Sequence, residues 1–378
     1  MHATIRRAVL VLLAALAICT ATARAETDLS RAVIEQRAEA AARYLVAVEA
    51  ADGRFLYEFD FLRSRFLTAD NVVRQAGAGF VLNQFYFLSG KAGFEEPAAR
   101  AIGYYEARSV KRDDGTLISE DLTLEGGRAG GTALALLAEL FHSRAIGRDF
   151  RPDLRVLWLK GLAAQQLADG RIAQRPDDTK ADSYSTGETW LALAHYAELA
   201  PDATGVTEML DRLEAGAMSK YLETPDTMFA HWGLMAAAQR LRTTGDNRYR
   251  DFIVSFGANY VRKLMPANDN RMNNCAALEG LAAASFALDQ TGDAALAAEL
   301  RGKVESELPL ALALQLPDAT RLEFGPGHYY EDPKLKNFVG AFLNGAYVLR
   351  TRIDSTQHCL SAMLLYREMT TGDTLWEK

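Results

Sequence analysis

The sequence predicts an all-α protein built from six helical hairpins. Three observations carry this. Helical periodicity recurs along nearly the whole chain, two chemically distinct kinds of helical segment alternate, and short Gly-centred stretches repeat between them, while β-branched alternating runs are scarce. With 378 residues, 49% of them apolar, the chain can bury a large core.

The first 25 residues read as a secretory signal. Arg6 and Arg7 form a charged start, Val9 to Cys19 an apolar run, and Ala23-Arg24-Ala25 a small-residue cleavage site, so the mature chain is expected to begin at Glu26 as one domain spanning 26–378. The apolar run is shorter than the roughly 20 residues a spanning helix needs, and Ile18 before Cys19 argues against lipidation. The expected location is therefore periplasmic or secreted, with no stable membrane insertion after cleavage. Removing Arg6, Arg7 and Arg24 with no acid takes the formal net charge from −7 to −10. An acidic chain without a basic stripe is a poor nucleic-acid partner. Cys275 and Cys359 survive processing and could pair or remain thiols in an oxidising compartment.

One set of segments is rich in Ala, Leu, Gly and aromatics and is hydrophobic nearly all round: Asn71 to Leu88, Gly130 to His142, Tyr184 to Leu199, Phe229 to Leu241, Met272 to Leu288 and Thr356 to Met369. Such helices are buried on every side. A second set carries charge on one face: Leu29 to Val48, Pro97 to Arg108, Asp153 to Leu167, Val206 to Leu222, Tyr249 to Leu264 and Ala294 to Leu310. The sets alternate, giving six inner and six outer helices. Thr-Gly-Asp at 244–246, 291–293 and 371–373 follows three inner segments, where Gly suits a helix C-cap and Asp the next N-cap. Ala-Asp-Gly-Arg at 51–54 and 168–171 follows two outer ones. The longest piece without a helical pattern, Leu316 to Phe338, contains Gly325-Pro326-Gly327, and is expected to be an irregular loop that could cover a binding mouth with Arg321, Glu323, His328 and Tyr330.

This alternation and punctuation resemble the (α/α)6 toroid of the six-hairpin glycosidase superfamily, over nearly the whole mature chain. The resemblance implies a closed ring with a site at the mouth formed by the starts of the inner helices, and an oligo- or polysaccharide partner. Five polar clusters fall there. Arg74 and Gln75 follow a capping Asn71 and suit substrate carboxylate or hydroxyls. Glu188 lies inside an apolar helix between Tyr184 and Trp190, although Ser185 three residues before it also satisfies a capping box. His231 and Trp232 begin the fourth inner helix. Asn274 and Glu279 mark the fifth, where Glu279 needs a partner such as Arg271 or a raised pKa. Asp354, Gln357 and His358 mark the sixth, with Asp354 placed to orient His358 one turn on.

The chemistry these residues allow is hydrolysis of glycosidic bonds by paired carboxylates, Glu188, Glu279 and Asp354 being the candidates and His231 and His358 supporting them. The resemblance also implies polysaccharide-lyase or uronic-acid epimerase chemistry as an alternative, with Tyr184 or His231 as base and Arg74 or Asn274 on a carboxylate. A non-catalytic glycan-binding or envelope-assembly role is the third reading. A zinc set from Cys275, His358 and Cys359, as in lanthionine-forming cyclases, is disfavoured because adjacent helical positions diverge, so no metal and no cofactor is expected. Phosphate-binding glycine loops, a Gly-x-Ser-x-Gly elbow and a His-Glu-x-x-His helix are missing from the sequence.

Overall fold

The computed structural model describes residues 28–112, 115–199, 204–265, 272–325 and 327–373; the expected signal segment and Arg271 lie outside them. Inner helices α2 (Val72–Ser89), α4 (Ala129–Ile146), α6 (Ser183–Leu199), α8 (Thr227–Thr244), α10 (Cys275–Asp289) and α12 (Ile353–Thr371) alternate with outer helices α1 (Arg31–Ala47), α3 (Glu95–Ala107), α5 (Pro152–Ala164), α7 (Thr204–Glu223), α9 (Asn247–Phe252) and α11 (Ala294–Leu312). Each inner helix packs on the next and α12 returns to α2, which closes the ring. Helix α4 buries every residue from Ala129 to Ser143, as an element packed on all sides must. Outer α1 instead buries one stripe, Ile34, Ala38, Ala41, Ala42 and Leu45. Beyond α9 the outer helix continues in widened turns at Ile253–Gly257 and Tyr260–Leu264, with Phe252, Phe256 and Tyr260 stacked along it. No helix among the described residues is long and apolar enough to cross a membrane.

The repeated punctuation has a packing cause. Gly53 and Gly170 each adopt positive φ (85° and 86°), and a Cβ there would come within 2.2 Å of the Arg100 carbonyl oxygen and 2.1 Å of the Arg212 one. Each loop therefore lies flat against the backbone of the next outer helix, an approach open only to glycine. Gly245 and Gly372 are left-handed C-caps, and the Asp246 side chain caps α9. The third copy differs: α10 ends earlier, at Asp289, and the Asp293 carboxylate is taken by Arg250 of α9.

A second device recurs at the starts of inner helices. The backbone N–H of Ile118, Ile172 and Phe342 donates to the Thr132, Thr186 and Thr356 hydroxyls (2.9, 3.2 and 3.1 Å), each fourteen residues on. In the first hairpin Gln75 does the same work: its Oε1 accepts from Phe55 N and its Nε2 donates to Phe55 O, both at 2.8 Å. These latches satisfy loop backbone that the close packing cuts off from water.

The sequence pattern missed the β-structure. Strands β1 (Glu58–Asp60), β2 (Arg65–Phe66), β8 (Leu343–Gly345) and β9 (Val348–Arg352) form an antiparallel sheet in the order β2-β1-β9-β8, joining the first and last hairpins through main-chain bonds. Strands β3 (Ser109–Arg112), β4 (Gly115–Ser119) and β5 (Gly127–Arg128) form another. The segment expected to be irregular contains a hairpin, β6 (Arg321–Gly325) and β7 (His328–Glu331), and a 3₁₀ turn at Pro333–Phe338. Tyr330 donates to the Phe61 carbonyl, and Phe338 packs on Phe59 and Phe61, so this segment is fastened to the first sheet. Cys275 and Cys359 form a disulfide between α10 and α12, with Cα atoms 4.8 Å apart.

Gly53→Ala and Gly170→Ala should each lower unfolding free energy by more than about 2 kcal/mol, from positive φ plus a backbone clash. Gly103→Ala and Gly302→Ala, where a Cβ meets nothing within 4 Å, should leave it level or raise it by up to about 1 kcal/mol. Urea denaturation of the four variants measures both; equal effects at the two kinds of position would contradict the packing account.

Candidate functional site

Because every inner helix runs the same way around the ring, their first turns meet at one end. Arg74 of α2 and Asp354 of α12 meet there, Arg74 Nε lying 3.0 Å from Asp354 Oδ2. Arg352, at the end of β9, grips the same carboxylate at 2.5 and 2.8 Å. Tyr57, from the loop before β1, bonds to the Arg74 guanidinium and lies under it. Burial alone would raise the Asp354 carboxyl, but Arg352 and Arg74, with His358 behind them, hold it below the usual carboxylate value.

A second group faces this clamp. His358 Nδ1 lies 2.9 Å from Glu279 Oε2, so the partner of the buried Glu279 is an imidazole from α12. Burial raises Glu279 against the pull of His358. Burial lowers His358, but Glu279 and then Asp354 more than offset it, and the imidazole ends above its ordinary value. The two groups titrate as a coupled pair. The His231 ring stands edge-on to His358 with centroids 5.6 Å apart. Burial, reinforced by charge on His358, drives His231 well below 6.5, so it stays neutral. Its Nε2 is buried with no hydrogen-bond partner, as are Trp232 Nε1 and Glu279 Oε1. Tyr184 packs edge-on to His231 at 5.5 Å, and its hydroxyl is raised by burial, then by Glu188, Glu279 and Asp354, against Arg74.

Glu188 completes the group from α6. Its carboxylate lies against Gly130 of α4, where any Cβ would sit 1.8 Å from Oε2, and no cation pairs with it among the described residues. Burial, with a contribution from Asp182, pushes it up to about 8. Ser185 is not its capping partner, since Asp182 Oδ1 accepts from Ser185 N (2.7 Å) and caps α6 itself.

The fold thus gathers Arg74, Tyr184, Glu188, His231, Trp232, Glu279, Asp354 and His358. It does not gather four expected residues. Gln75 is the latch of the first hairpin, and its Nε2 also reaches Asp70 (2.8 Å). Trp190 points outward, its Nε1 on Glu214 of α7 (3.1 Å). Asn274 likewise turns to Glu307 of α11 (3.4 Å). Gln357 is buried where α12 crosses α2, against Gly77. Asp354 does not hydrogen-bond His358; that role belongs to Glu279. Tyr57 and Arg352 were missed. The alternation of Phe55, Tyr57, Phe59 and Phe61, all buried, is the period-2 signal that marks the strand presenting Tyr57.

His231, Glu279 and His358 offer one donor atom each within 4.8 Å of one another, the one such trio among the described residues. Two of the three are already spent on each other in the His358–Glu279 bond.

Because the Glu188 value of about 8 lies above the 4.5 of an exposed glutamate, the folded state keeps a proton that the unfolded state releases, and stability is lost as pH rises between the two. Glu188→Gln should therefore show a smaller fall in thermal midpoint from pH 5 to pH 9 than the parent protein. An equal fall in both would contradict a raised carboxyl at this position.

No protein-family model matches the chain, and no curated protein sequence does. Solved structures match in shape. A D-mannose isomerase superposes with a TM-score of 0.65 at 13% identity, over 90% of this chain and 98% of its own. An α-1,6-mannanase of Salegentibacter sp. HEL1_6, as an inactive double Asp→Ala variant with α-1,6-mannotetrose, gives 0.63 at 12%, over 89% and 99%. A sugar epimerase from a ruminal bacterium gives 0.62 at 12%, over 88% and 98%. What these likenesses establish is the fold: the chain is an (α/α)6 toroid.

Proposed function

We propose that this protein is a carbohydrate-active enzyme that moves a proton beside a sugar carbonyl, as an epimerase or aldose–ketose isomerase. The observation carrying this is the facing pair His231 and His358, the first lowered by burial with no hydrogen-bond partner at Nε2, the second bonded to Glu279 and raised by it. Neighbouring groups whose surroundings push their proton affinities apart are what acid–base chemistry requires. In this reading, neutral His231 takes the proton from the carbon next to the carbonyl. The electron pair forms the enediolate, and His358 supplies a proton to the former carbonyl oxygen. For the epimer, His358 instead gives its proton to the same carbon on its other face as the carbonyl re-forms; for the isomer, His231 passes its proton to the neighbouring carbon while the hydroxyl on the first carbon returns a proton to His358 and becomes the new carbonyl. Trp232 Nε1 and Tyr184 are placed for sugar hydroxyls.

Hydrolysis, favoured by the carboxylate count in the sequence, is the second reading. Glu188 supports it, since a carboxyl pushed up to about 8 is protonated at neutral pH and suits a leaving-group acid. Against it, Asp354 is clamped by two arginines and Glu279 is bound to His358. The mannanase neighbour is inactive without two consecutive aspartates. The Asp-Asp pairs here are Asp113-Asp114, outside the described residues, and Asp177-Asp178, in the loop before α6. A uronate substrate is disfavoured because Arg74 and Arg352 already neutralise Asp354. The exported location expected from residues 1–25 belongs to the same proposal.

The test is proton NMR in D2O with D-mannose, D-glucose and mannobiose. The expected result is deuterium at C2 of the epimer or at C1 of the ketose, appearing at least about 100-fold more slowly in His231→Asn and His358→Asn. New reducing ends from mannobiose without exchange would transfer the assignment to hydrolysis. Binding without turnover would transfer it to recognition.

A further inference from the structure

Past the mouth residues, the C-terminal halves of the inner helices line a half-open cavity of about 280 Å³. Each inner helix gives it an apolar wall residue: Phe80, Phe141, Leu191, Met235, Ala283 and Leu364 in ring order. None of the eight gathered site residues lines it. The Phe80 and Phe141 rings, 5.8 Å apart, form an aromatic side on α2 and α4, while Met235, Ala283 and Leu364 form an aliphatic and thioether side across the ring. Such a slot suits a flat ring.

The charges around this cavity are satisfied among themselves. Arg144 lies 3.1 Å from Glu198 and over the Phe87 ring, and Arg242 pairs with Glu368. Gln239 joins the two pairs, donating to Glu198 (2.9 Å) and accepting from Arg242 (2.8 Å). This belt crosses α4, α6, α8 and α12 and leaves no unbalanced charge for an anionic or cationic guest. Two polar atoms are unmet: Gln84 Oε1 and His195 Nδ1 are buried without a hydrogen-bond partner. His195 stands edge-on to Phe141 at 5.1 Å, its Nδ1 3.9 Å from Glu198, and burial lowers its proton affinity so that it stays neutral. An apolar chamber with a few unmet polar atoms on its wall is the usual form of a small-molecule site.

We infer that this cavity binds an uncharged, ring-bearing apolar molecule carrying one hydrogen-bond donor, at a site separate from the His231–His358 mouth. Its ring lies between the Phe80–Phe141 side and the Met235–Leu364 side, and its donor meets Gln84 Oε1.

N-phenyl-1-naphthylamine has these properties, with two aromatic ring systems, one N–H and no charge, and it fluoresces in apolar surroundings. Titrated into the purified chain, it should give saturable enhancement at one site per chain. Ala283→Phe, which fills the slot, should weaken binding by about tenfold or more, and Gln84→Met, which keeps the volume and removes the acceptor, by about threefold. Circular dichroism of both variants establishes that they are folded; should Ala283→Phe fail to fold, Gln84→Met decides. Three outcomes would overturn the inference: no saturable enhancement, affinity unchanged by the folded variants, or displacement of the amine by D-mannose. Tighter binding of the anionic analogue 1-anilinonaphthalene-8-sulfonate than of the neutral amine would overturn the ligand class.

Discussion

Everything in this structure depends on closing the ring between α2 and α12. Residues 280 to 294 positions apart must meet, and the contacts that join them include main-chain pairing of β1 with β9, the Arg74–Asp354 ion pair, and the seating of Gln357 against Gly77. A ring closed this way leaves the inner helices no solvent-facing side. Their composition follows, with Ala, Gly and Leu wherever helix meets helix, and Thr or Gln where a loop N–H must be answered. Glycine recurs at the tightest approaches, as at Gly130 under Glu188, Gly187 under Trp232 and Gly280 under His231.

Closure also sets the electrostatics. Polar groups brought to the mouth on helices buried on every side cannot turn to bulk water, so they must pair with each other or change protonation state. All three results occur within one small volume. Asp354 is held low between two arginines, Glu279 is hydrogen-bonded to His358, and Glu188 is pushed up to about 8. His231, left without a partner at Nε2 and next to a charged imidazole, has only the neutral form available. The asymmetry between the two histidines arises from where the fifth helix places one carboxylate.

Much of this was legible in the sequence. The alternation of all-round apolar with one-sided amphipathic segments located all twelve helices, because burial on every side and burial on one face leave different periodicities. Eight mouth residues were readable as polar intrusions at the starts of apolar helices. Gln75, Trp190 and Asn274 met the same criterion and proved to face loop or outer helix, because position along a helix does not fix the direction of a side chain around it. Tyr57 and Arg352 were missed for a different reason. Tyr57 directly precedes β1 and Arg352 ends β9; alternation from Phe55 to Phe61 marks the first strand, but local periodicity carries no information about which strand will be its partner. The pairing of Cys275 with Cys359 was undecidable for the same reason, as it depends on α10 and α12 being neighbours in the ring.

The central claim is that the fold pushes the proton affinities of His231 and His358 in opposite directions, and imidazole NMR of the ¹³C-histidine-labelled protein between pH 4.5 and 9 tests it directly. His231 is expected to titrate well below an ordinary imidazole and His358 above one, with the His358 midpoint moving down in Glu279→Gln. Two histidines titrating together near 6.5, or in the reverse order, would contradict it.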